Sequence, residues 1–244
     1  MARIGREFIK KTKYEYLDPS AQSRGRAQPP LELETHKSGD LIELPAPETL
    51  SVPPVDLRQA IERRSSVRKY SRNALTLEEL SFLLWCTQGI KEVIPGSATF
   101  RTVPSAGARH ALETYLLVNN VQTLYSGLYW YSALRHGLIL VDDGESLADR
   151  LVTACLGQQF VAQSAVTFIW TAASYRMTWR YSERGYRYFF LDAGHVCQNL
   201  YLAAEAIESG VCAIAAFSDD GVNEFLQIDG EEQFSLYLAT VGKK

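Results

Sequence analysis

The chain has 244 residues and a formal net charge of −3 at pH 7; 46% of its residues are hydrophobic and 22% are charged. This composition is typical of a globular protein with a substantial core, and the slightly acidic balance argues against nucleic acid as a partner. No apolar stretch is long enough to predict a membrane span, and the basic start of the chain lacks the apolar region of a secretory signal.

The four cysteines lie far apart in apolar surroundings and form no Cys-x-x-Cys pair; they are Cys86, Cys155, Cys197 and Cys212. A free cysteine in such surroundings behaves as a small hydrophobic residue. We therefore expect structural thiols and no metal site, and a reducing, cytoplasmic location.

Residues 1–52 are expected to form an extended N-terminal arm, and residues 53–244 a single folded domain. The arm contains several prolines, including Pro29 and Pro30, and few apolar residues at regular spacing. Its apolar stretch at residues 41–44 is expected to dock on the core or on a neighbouring subunit.

The first elements of the domain are two predicted helices. The first covers residues 56–64, with Leu57 and Ile61 on one face at a spacing of four residues. Thr76 and Glu79 form a capping box, in which each side chain can accept a free backbone N–H of the first turn. This pattern predicts the start of a second helix, which is expected to end near Gly89.

The middle of the chain alternates between strand and helix patterns. Strands are predicted at residues 112–118, 127–131, 137–141 and 166–172, and the second and third of these form a hairpin. Helices are predicted at residues 145–156 and 158–163.

The longest predicted helix covers residues 187–208. Its expected inward residues are Leu191, Val196, Leu200, Ala203 and Ile207, and Gly210 is expected to end it in the left-handed conformation. A strand at 211–216, a helix from Ser218 to Leu226 and a strand at 234–241 complete the chain. Because these elements do not form a regular βαβ repeat, we predict an α+β fold with a central mixed or antiparallel sheet flanked by helices.

The segment Arg64-Ser65-Ser66-Val67-Arg68 carries two guanidinium groups and two hydroxyls within five residues. Guanidinium groups match phosphate oxygens, and hydroxyls add neutral donors, so this pattern suits a phosphate ester. A solvated basic helix end is an equally good explanation of this segment taken alone.

The segment Pro104-Ser105-Ala106-Gly107-Ala108 is a run of small residues. Small side chains leave the backbone accessible, so a flat ligand could lie against it. Taken alone, an ordinary loop before a strand is the more common explanation. Together, the two segments indicate a phosphorylated planar cofactor, and flavin mononucleotide (FMN) matches that description.

In this order and at this distance, the two segments resemble those of the nitroreductase-like FMN-dependent oxidoreductases. The stretch from Tyr188 to Leu200 is similar to the SagB-type dehydrogenase branch, which is related to peptide-azoline oxidases. The resemblance covers residues of about 55 to 242. It implies a nitroreductase-like α+β fold and a homodimer that binds FMN at the subunit interface.

The resemblance also implies roles for individual residues. Arg64, Ser65, Ser66 and Arg68 match the phosphate and ribityl motif, and Pro104, Ser105, Ala106, Gly107 and Ala108 match the segment that lies against the flavin ring. Ala215 and Ala216 match a position near flavin N5, and Lys243 matches the start of a phosphate-contacting stretch. Azoline oxidases use a Lys-Tyr pair, and its nearest equivalent here is Arg187-Tyr188. Because arginine is a poor base, this difference weakens the assignment of a peptide azoline as the substrate.

The catalytic residues are not determined by the sequence, and Tyr188 and His195 are the candidates. The chain lacks the motifs of serine hydrolases, zinc proteases, P-loop enzymes and dinucleotide-binding folds. We therefore expect an FMN-dependent oxidoreductase that passes hydride from NAD(P)H to a small acceptor such as a nitroaromatic or a quinone. A peptide-azoline dehydrogenase acting with partner proteins and a non-catalytic flavin-binding module are the alternatives.

Overall fold

The computed structural model of the chain describes residues 3–33 and 39–244, so the parts of the predicted arm at 1–2 and 34–38 lie outside the described residues. The described helices are α1 (Ile4–Lys11), α2 (Leu57–Arg63), α3 (Leu77–Gln88), α4 (Leu147–Ala154), α5 (Phe160–Gln163), α6 (Ser174–Tyr181), α7 (Gly185–Ala206) and α8 (Asp219–Leu226). The strands are β1 (Leu41–Glu43), β2 (Ile90–Ile94), β3 (Ala98–Arg101), β4 (Leu112–Val118), β5 (Gly127–Ser132), β6 (Gly137–Asp142), β7 (Val166–Ala173), β8 (Ser209–Ile214) and β9 (Gln233–Lys243). Within the described ranges, no helix is long and apolar enough to cross a membrane.

Seven strands form one sheet in the order β1-β6-β5-β4-β7-β9-β8, and every neighbouring pair is antiparallel. The predicted central sheet is therefore antiparallel. The strands β2 and β3 form a separate hairpin. The apolar stretch of the arm docks on the core as predicted, because β1 pairs with β6 at one edge of the sheet.

Helices cover both faces of the sheet because successive strand residues point to opposite sides. On one face, α3 and α7 pack on a core that includes Leu116 and Phe168. On the other face, α4, α5 and α8 pack on a core that includes Tyr115, Leu117 and Ile169. This arrangement confirms an α+β fold with helices on both sides of the sheet.

The predicted capping box at Thr76 and Glu79 is present at the start of α3. Ser218 also caps α8 as predicted, since its hydroxyl accepts the N–H of Gly221. Asp56 caps α2 in the same way through the N–H of Gln59. These local signals set the helix starts close to their predicted positions.

One expectation about burial was wrong: Leu191 is 57% exposed on α7. Leu57 and Ile61 are 64% and 55% exposed on α2, which packs inward through the small side chain of Ala60.

The predicted role of Gly210 was also wrong. Gly210 lies inside β8, and Glu208 is the residue that adopts the left-handed conformation after α7, with φ of 52°.

Candidate functional site

The segment 64–68 lies along the free edge of the sheet, beside β8. The Val67 N–H donates to the Val211 carbonyl at 2.9 Å, and Ser66 forms an isolated parallel bridge with Val211. Further along, the Ser71 N–H donates to the Lys243 carbonyl at 2.8 Å. The backbone of β8 and β9 therefore fixes the position of the predicted phosphate-binding segment.

Two glycines let this segment approach the sheet closely. A Cβ on Gly210 would lie 2.6 Å from the Cβ of Val67, and a Cβ on Gly242 would lie 2.8 Å from the ring of Tyr70. Real Cβ atoms are almost never so close to another heavy atom. The sequence places these glycines in strands, but only the fold shows that they admit the segment.

Tyr201 of α7 connects the segment to the core. Its hydroxyl lies 3.0 Å from the Ser66 hydroxyl and accepts the N–H of Ala213 at 2.9 Å. The Arg64 guanidinium lies over the Tyr201 ring at 5.2 Å, and the Arg68 guanidinium over the Phe160 ring at 5.9 Å. In the part of the chain that the structure describes, neither arginine forms an ion pair with a carboxylate.

The remaining residues predicted for this part of the site follow the same edge. Ser65 is exposed beside Ser66. Ala215 and Ala216 follow β8 and are also exposed, and the Ala216 carbonyl accepts a hydrogen bond from Gln158 at 2.8 Å. This leaves the backbone after β8 at the surface.

Lys243 is already engaged within the chain. Its ammonium group forms an ion pair with Glu79 at the start of α3 and donates to the Ile207 carbonyl at 2.7 Å. A role for Lys243 at a phosphate stays a prediction and would require it to leave or share these contacts.

The segment 104–108 forms a tight turn between β3 and β4. Gly107, Ala108 and His110 adopt positive φ angles of 57°, 52° and 42°. Such backbone conformations are strained for residues other than glycine and tend to cluster at functional sites. The Ser105 hydroxyl holds the turn, since it donates to Asp192 of α7 at 2.6 Å and accepts the His110 N–H at 2.9 Å.

Arg180 and Tyr181 contact this turn, and sequence reasoning placed neither of them there. A Cβ on Gly107 would lie 2.9 Å from Arg180 Nε and would also collide with the Tyr181 hydroxyl. Both residues belong to α6, which the sequence analysis did not predict. The signal that could have found the contact is the glycine itself, because close approach by another group is one reason for a glycine in a turn.

His110 lines the cleft beside this turn as a neutral side chain. Burial, together with the positive charges of Arg101, Arg109 and Arg176, lowers the pKa of His110 to about 3. Burial raises the pKa of Asp192, although the Ser105 hydroxyl opposes this shift.

The two segments contact different parts of α7. Ser66 meets Tyr201, whereas Ser105 meets Asp192, nine residues earlier on the same helix. With a rise of 1.5 Å per residue, these contacts are roughly 13 Å apart along the helix axis. A single chain therefore holds the two segments at separate positions along α7.

The structure places the two catalytic candidates in different surroundings. His195 is exposed on α7. The Tyr188 hydroxyl accepts a hydrogen bond from Arg184 Nε at 2.8 Å and lies 3.3 Å from the hydroxyl of Tyr14. Tyr188 thus contacts the N-terminal arm, which the sequence analysis did not foresee.

Arg187 also binds the arm, since its Nε donates to the Thr12 hydroxyl at 2.6 Å. Both residues of the Arg187-Tyr188 pair therefore contact the arm within residues 3–16. This is the pair that the resemblance matches to the Lys-Tyr pair of azoline oxidases.

Large apolar side chains are exposed on two helices that pack together. On α7, Phe190 and Leu191 are exposed, and on α2 the side chains of Leu57 and Ile61 are exposed. Isolated exposed apolar residues are common, but several on adjoining helices are typical of a protein–protein contact.

The antiparallel sheet between two helical layers is the α+β fold that the resemblance to the nitroreductase-like FMN-dependent oxidoreductases implies. The donor set fits a phosphate ester, because two hydroxyls and two arginines, which form no ion pair with a carboxylate of residues 3–33 or 39–244, lie along one strand edge. The family model described as "Nitroreductase family" matches residues 61–243. The chain belongs to this family and is a nitroreductase-family oxidoreductase.

Known relatives agree with this assignment. A Methanocaldococcus jannaschii protein, a nitroreductase by name, is 36% identical over 207 residues, which cover 84% of this chain and 98% of the relative. A crystal structure of a protein from Anabaena variabilis that is also named as a nitroreductase superposes with a TM-score of 0.69 and is 29% identical in sequence. The match covers 84% of this chain but only 42% of the Anabaena chain, which is longer.

Two further similarities concern the ligand and the branch of the family. Family members typically bind FMN, and one Desulfovibrio desulfuricans relative was solved in complex with FMN. That structure has a TM-score of 0.54, is 17% identical and covers 78% of this chain and 87% of its own, so it shows the fold alone. The trifolitoxin-processing protein TfxB of Rhizobium leguminosarum bv. trifolii is 29% identical over 143 residues, which cover 55% of this chain and 38% of TfxB.

Proposed function

We propose that this protein is an FMN-dependent oxidoreductase that passes hydride from NAD(P)H to a small organic acceptor such as a nitroaromatic or a quinone. The observation that carries the proposal is the position of Arg64, Ser65, Ser66 and Arg68 along the β8 edge. Neither guanidinium group forms an ion pair with a carboxylate in the described part of the chain. Bound FMN would supply the hydride chemistry, because a flavin accepts and returns hydride without help from a second cofactor.

The residues of the chain would bind and orient this cofactor. Arg64 and Arg68 would neutralise the phosphate, since charge-assisted hydrogen bonds to phosphate are stronger than neutral ones. Ser65 and Ser66 would add neutral donors.

The remaining matched residues would contact the ring. The turn 104–108, held by the hydrogen bond between Ser105 and Asp192, would offer a flat surface to the flavin ring. The exposed backbone at Ala215 and Ala216 would lie near flavin N5. Lys243 is the least available of the proposed contacts, because Glu79 already neutralises it.

The proposal includes a homodimer. The two segments contact α7 roughly 13 Å apart, so a partner could bring its turn 104–108 to the segment 64–68 of the first protomer. The exposed apolar residues of α2 and α7 support a subunit contact, because burying them would remove apolar area from water.

The test uses the variant Arg64→Ala/Arg68→Ala and the matched control Arg58→Ala/Arg72→Ala, which removes two exposed arginines from the same part of the chain. Purified wild-type protein and the control should be yellow, and anaerobic NAD(P)H should bleach the flavin absorbance. The Arg64/Arg68 variant should lose FMN while its circular dichroism stays unchanged. Wild-type protein that fails to take up added FMN would contradict the proposal, and sedimentation velocity tests the dimer separately.

A peptide-azoline dehydrogenase is the second candidate. The similarity to TfxB, a protein named for trifolitoxin processing, favours it. Against it, Arg187 stands where the base would be, and both Arg187 and Tyr188 are bound to the arm. Yellow protein that NAD(P)H cannot bleach, but that oxidises a thiazoline-containing peptide, would favour this candidate. A third possibility, a non-catalytic flavin-binding module, predicts FMN uptake with neither reaction.

A further inference from the structure

A cleft of about 770 Å³ lies against the turn 104–108, between this turn, the β2–β3 hairpin and α6. Its charged lining residues are all basic: Lys91, Arg101, Arg109 and Arg180. Of the residues that the structure describes, no aspartate or glutamate lines the cleft. His110 also lines it and is neutral near pH 7, because the pKa of its side chain is lowered to about 3.

Two of these guanidinium groups lie close to Gly107. Arg109 donates through Nε to the Gly107 carbonyl at 3.2 Å and through its terminal nitrogen to the Ser97 carbonyl at 2.8 Å. Arg180 approaches Gly107 from α6, so that a Cβ there would be 2.9 Å from Arg180 Nε. Burial and the charge of Arg180 lower the pKa of Arg109.

The positive charge of the cleft is not balanced within it. Arg101 is buried, but Glu113 and Glu32 partly compensate its charge. By contrast, Arg109, Arg180 and Lys91 form no ion pair with a carboxylate among the described residues. Within the described ranges, Arg109 hydrogen-bonds two neutral carbonyls, and Arg180 and Lys91 are exposed, so that a ligand can reach them.

We infer that this cleft binds the anionic group, a carboxylate or a phosphate, of the substrate that reacts at the turn 104–108, with Arg180 and Lys91 as its ligands. This inference rests on the proposed function, because that function makes the turn the place where cofactor and substrate meet. An anion there would relieve the repulsion between Arg109 and Arg180, and a neutral substrate of the same shape would not. The anion could belong to the acceptor or to the nicotinamide donor, whose phosphates present the same chemistry.

The experiment compares 4-nitrobenzoate with 4-nitrobenzamide, which have nearly the same shape but differ in charge. The variants are Arg180→Gln and Lys91→Gln, and the control is Arg24→Gln, which removes an equal charge from an exposed site in the arm. For Arg180→Gln we expect KM for 4-nitrobenzoate to rise about tenfold or more, while kcat for 4-nitrobenzoate changes little. KM for 4-nitrobenzamide should also change little. If KM for NADPH rises instead and the two acceptors are unaffected, the anion is the phosphate of the donor.

A binding measurement keeps this test independent of turnover. Calorimetry with benzoate and benzamide, on protein with and without FMN, should show benzoate binding that is weakened by Arg180→Gln and by added salt. The inference is overturned if benzoate and benzamide bind alike and neither KM shifts, while FMN uptake and nitroreduction persist. It is also overturned if Arg180→Gln releases FMN, since Arg180 would then serve the cofactor. If wild-type protein fails to take up FMN, the proposed function is contradicted. The comparison of benzoate with benzamide on protein without FMN would still test whether the cleft binds an anion.

Discussion

Val67 lies directly against Gly210, so that a Cβ on Gly210 would be 2.6 Å from the Val67 Cβ. The segment 64–68 can hydrogen-bond to the edge of β8 only because this glycine has no side chain. A structural residue of the sheet therefore controls the position of the proposed phosphate ligands.

Gly210→Ala should displace Val67 and, with it, Arg64 and Arg68. We expect FMN affinity to fall by about tenfold or more, because the charge-assisted hydrogen bonds to phosphate would be misaligned. Gly5→Ala in α1, where a Cβ would meet nothing within 4 Å, is the control. A fluorescence titration of FMN checks this, and an unchanged affinity in Gly210→Ala would show that the contact does not position the segment.

The buried ion pair between Arg176 and Glu113 should control stability. Their charged atoms are 2.6 Å apart, and both side chains are only 3% exposed. Arg176→Met removes the ion-pair partner of the buried Glu113 carboxylate and leaves it two neutral donors and the nearby charge of Arg101. This should cost up to about 3–5 kcal/mol in the free energy of unfolding.

The double variant Arg176→Met/Glu113→Gln should recover part of this loss, because it also removes the buried carboxylate that has lost its ion pair. Urea unfolding of both variants measures the difference. A loss below about 1 kcal/mol in the single variant would mean that water or another group compensates Glu113.

His110 should make stability depend on pH. Its pKa is about 3 in the folded protein and about 6.5 when unfolded, so the unfolded chain binds a proton that the folded protein does not. Stability from this group is therefore fully present above about pH 6.5 and is lost as the pH falls towards 3, by at most about 1.4 kcal/mol per pH unit.

His110→Asn should flatten this dependence, and the exposed His195→Asn provides the control. Denaturant midpoints between pH 4 and 8 would measure the difference in slope. Equal slopes in wild-type protein and His110→Asn would mean that His110 takes up a proton without unfolding.

The local signals in the sequence predicted much of the fold. The capping box at Thr76, the cap at Ser218 and the alternation over residues 112–118 each act within a few residues, so the sequence carries them directly. The predicted burial of Leu191 failed because periodicity identifies an apolar face but not what covers it, and the same holds for the exposed face of Leu57 and Ile61.

The candidate site was only partly predictable. The residues at 64–68 and 104–108 form short patterns that the sequence shows directly. The distance between the two segments in the fold depends on where they contact α7, at Tyr201 and Asp192, and neither segment contains these residues. Arg180 was missed because α6 packs against Gly107 from far along the chain, through a contact that only the folded structure creates.

Tyr188 was predicted as a catalytic candidate, and its contacts give a different expectation. Its hydroxyl accepts a hydrogen bond from Arg184 and lies 3.3 Å from the hydroxyl of Tyr14, so Tyr188→Phe removes a link between α7 and the arm. Losing a hydrogen bond of about 1 kcal/mol should speed amide hydrogen exchange over residues 3–16 about fivefold.

The rate of flavin reduction should stay within about twofold of wild type in this variant, because an arm contact takes no part in hydride transfer. Tyr14→Phe removes the hydroxyl on the other side and should loosen the arm to a smaller degree, since the bond from Arg184 to Tyr188 remains. If Tyr188→Phe abolished flavin reduction or substrate oxidation while exchange in the arm stayed unchanged, Tyr188 would be a catalytic residue after all. The arm contact would then be incidental to its role.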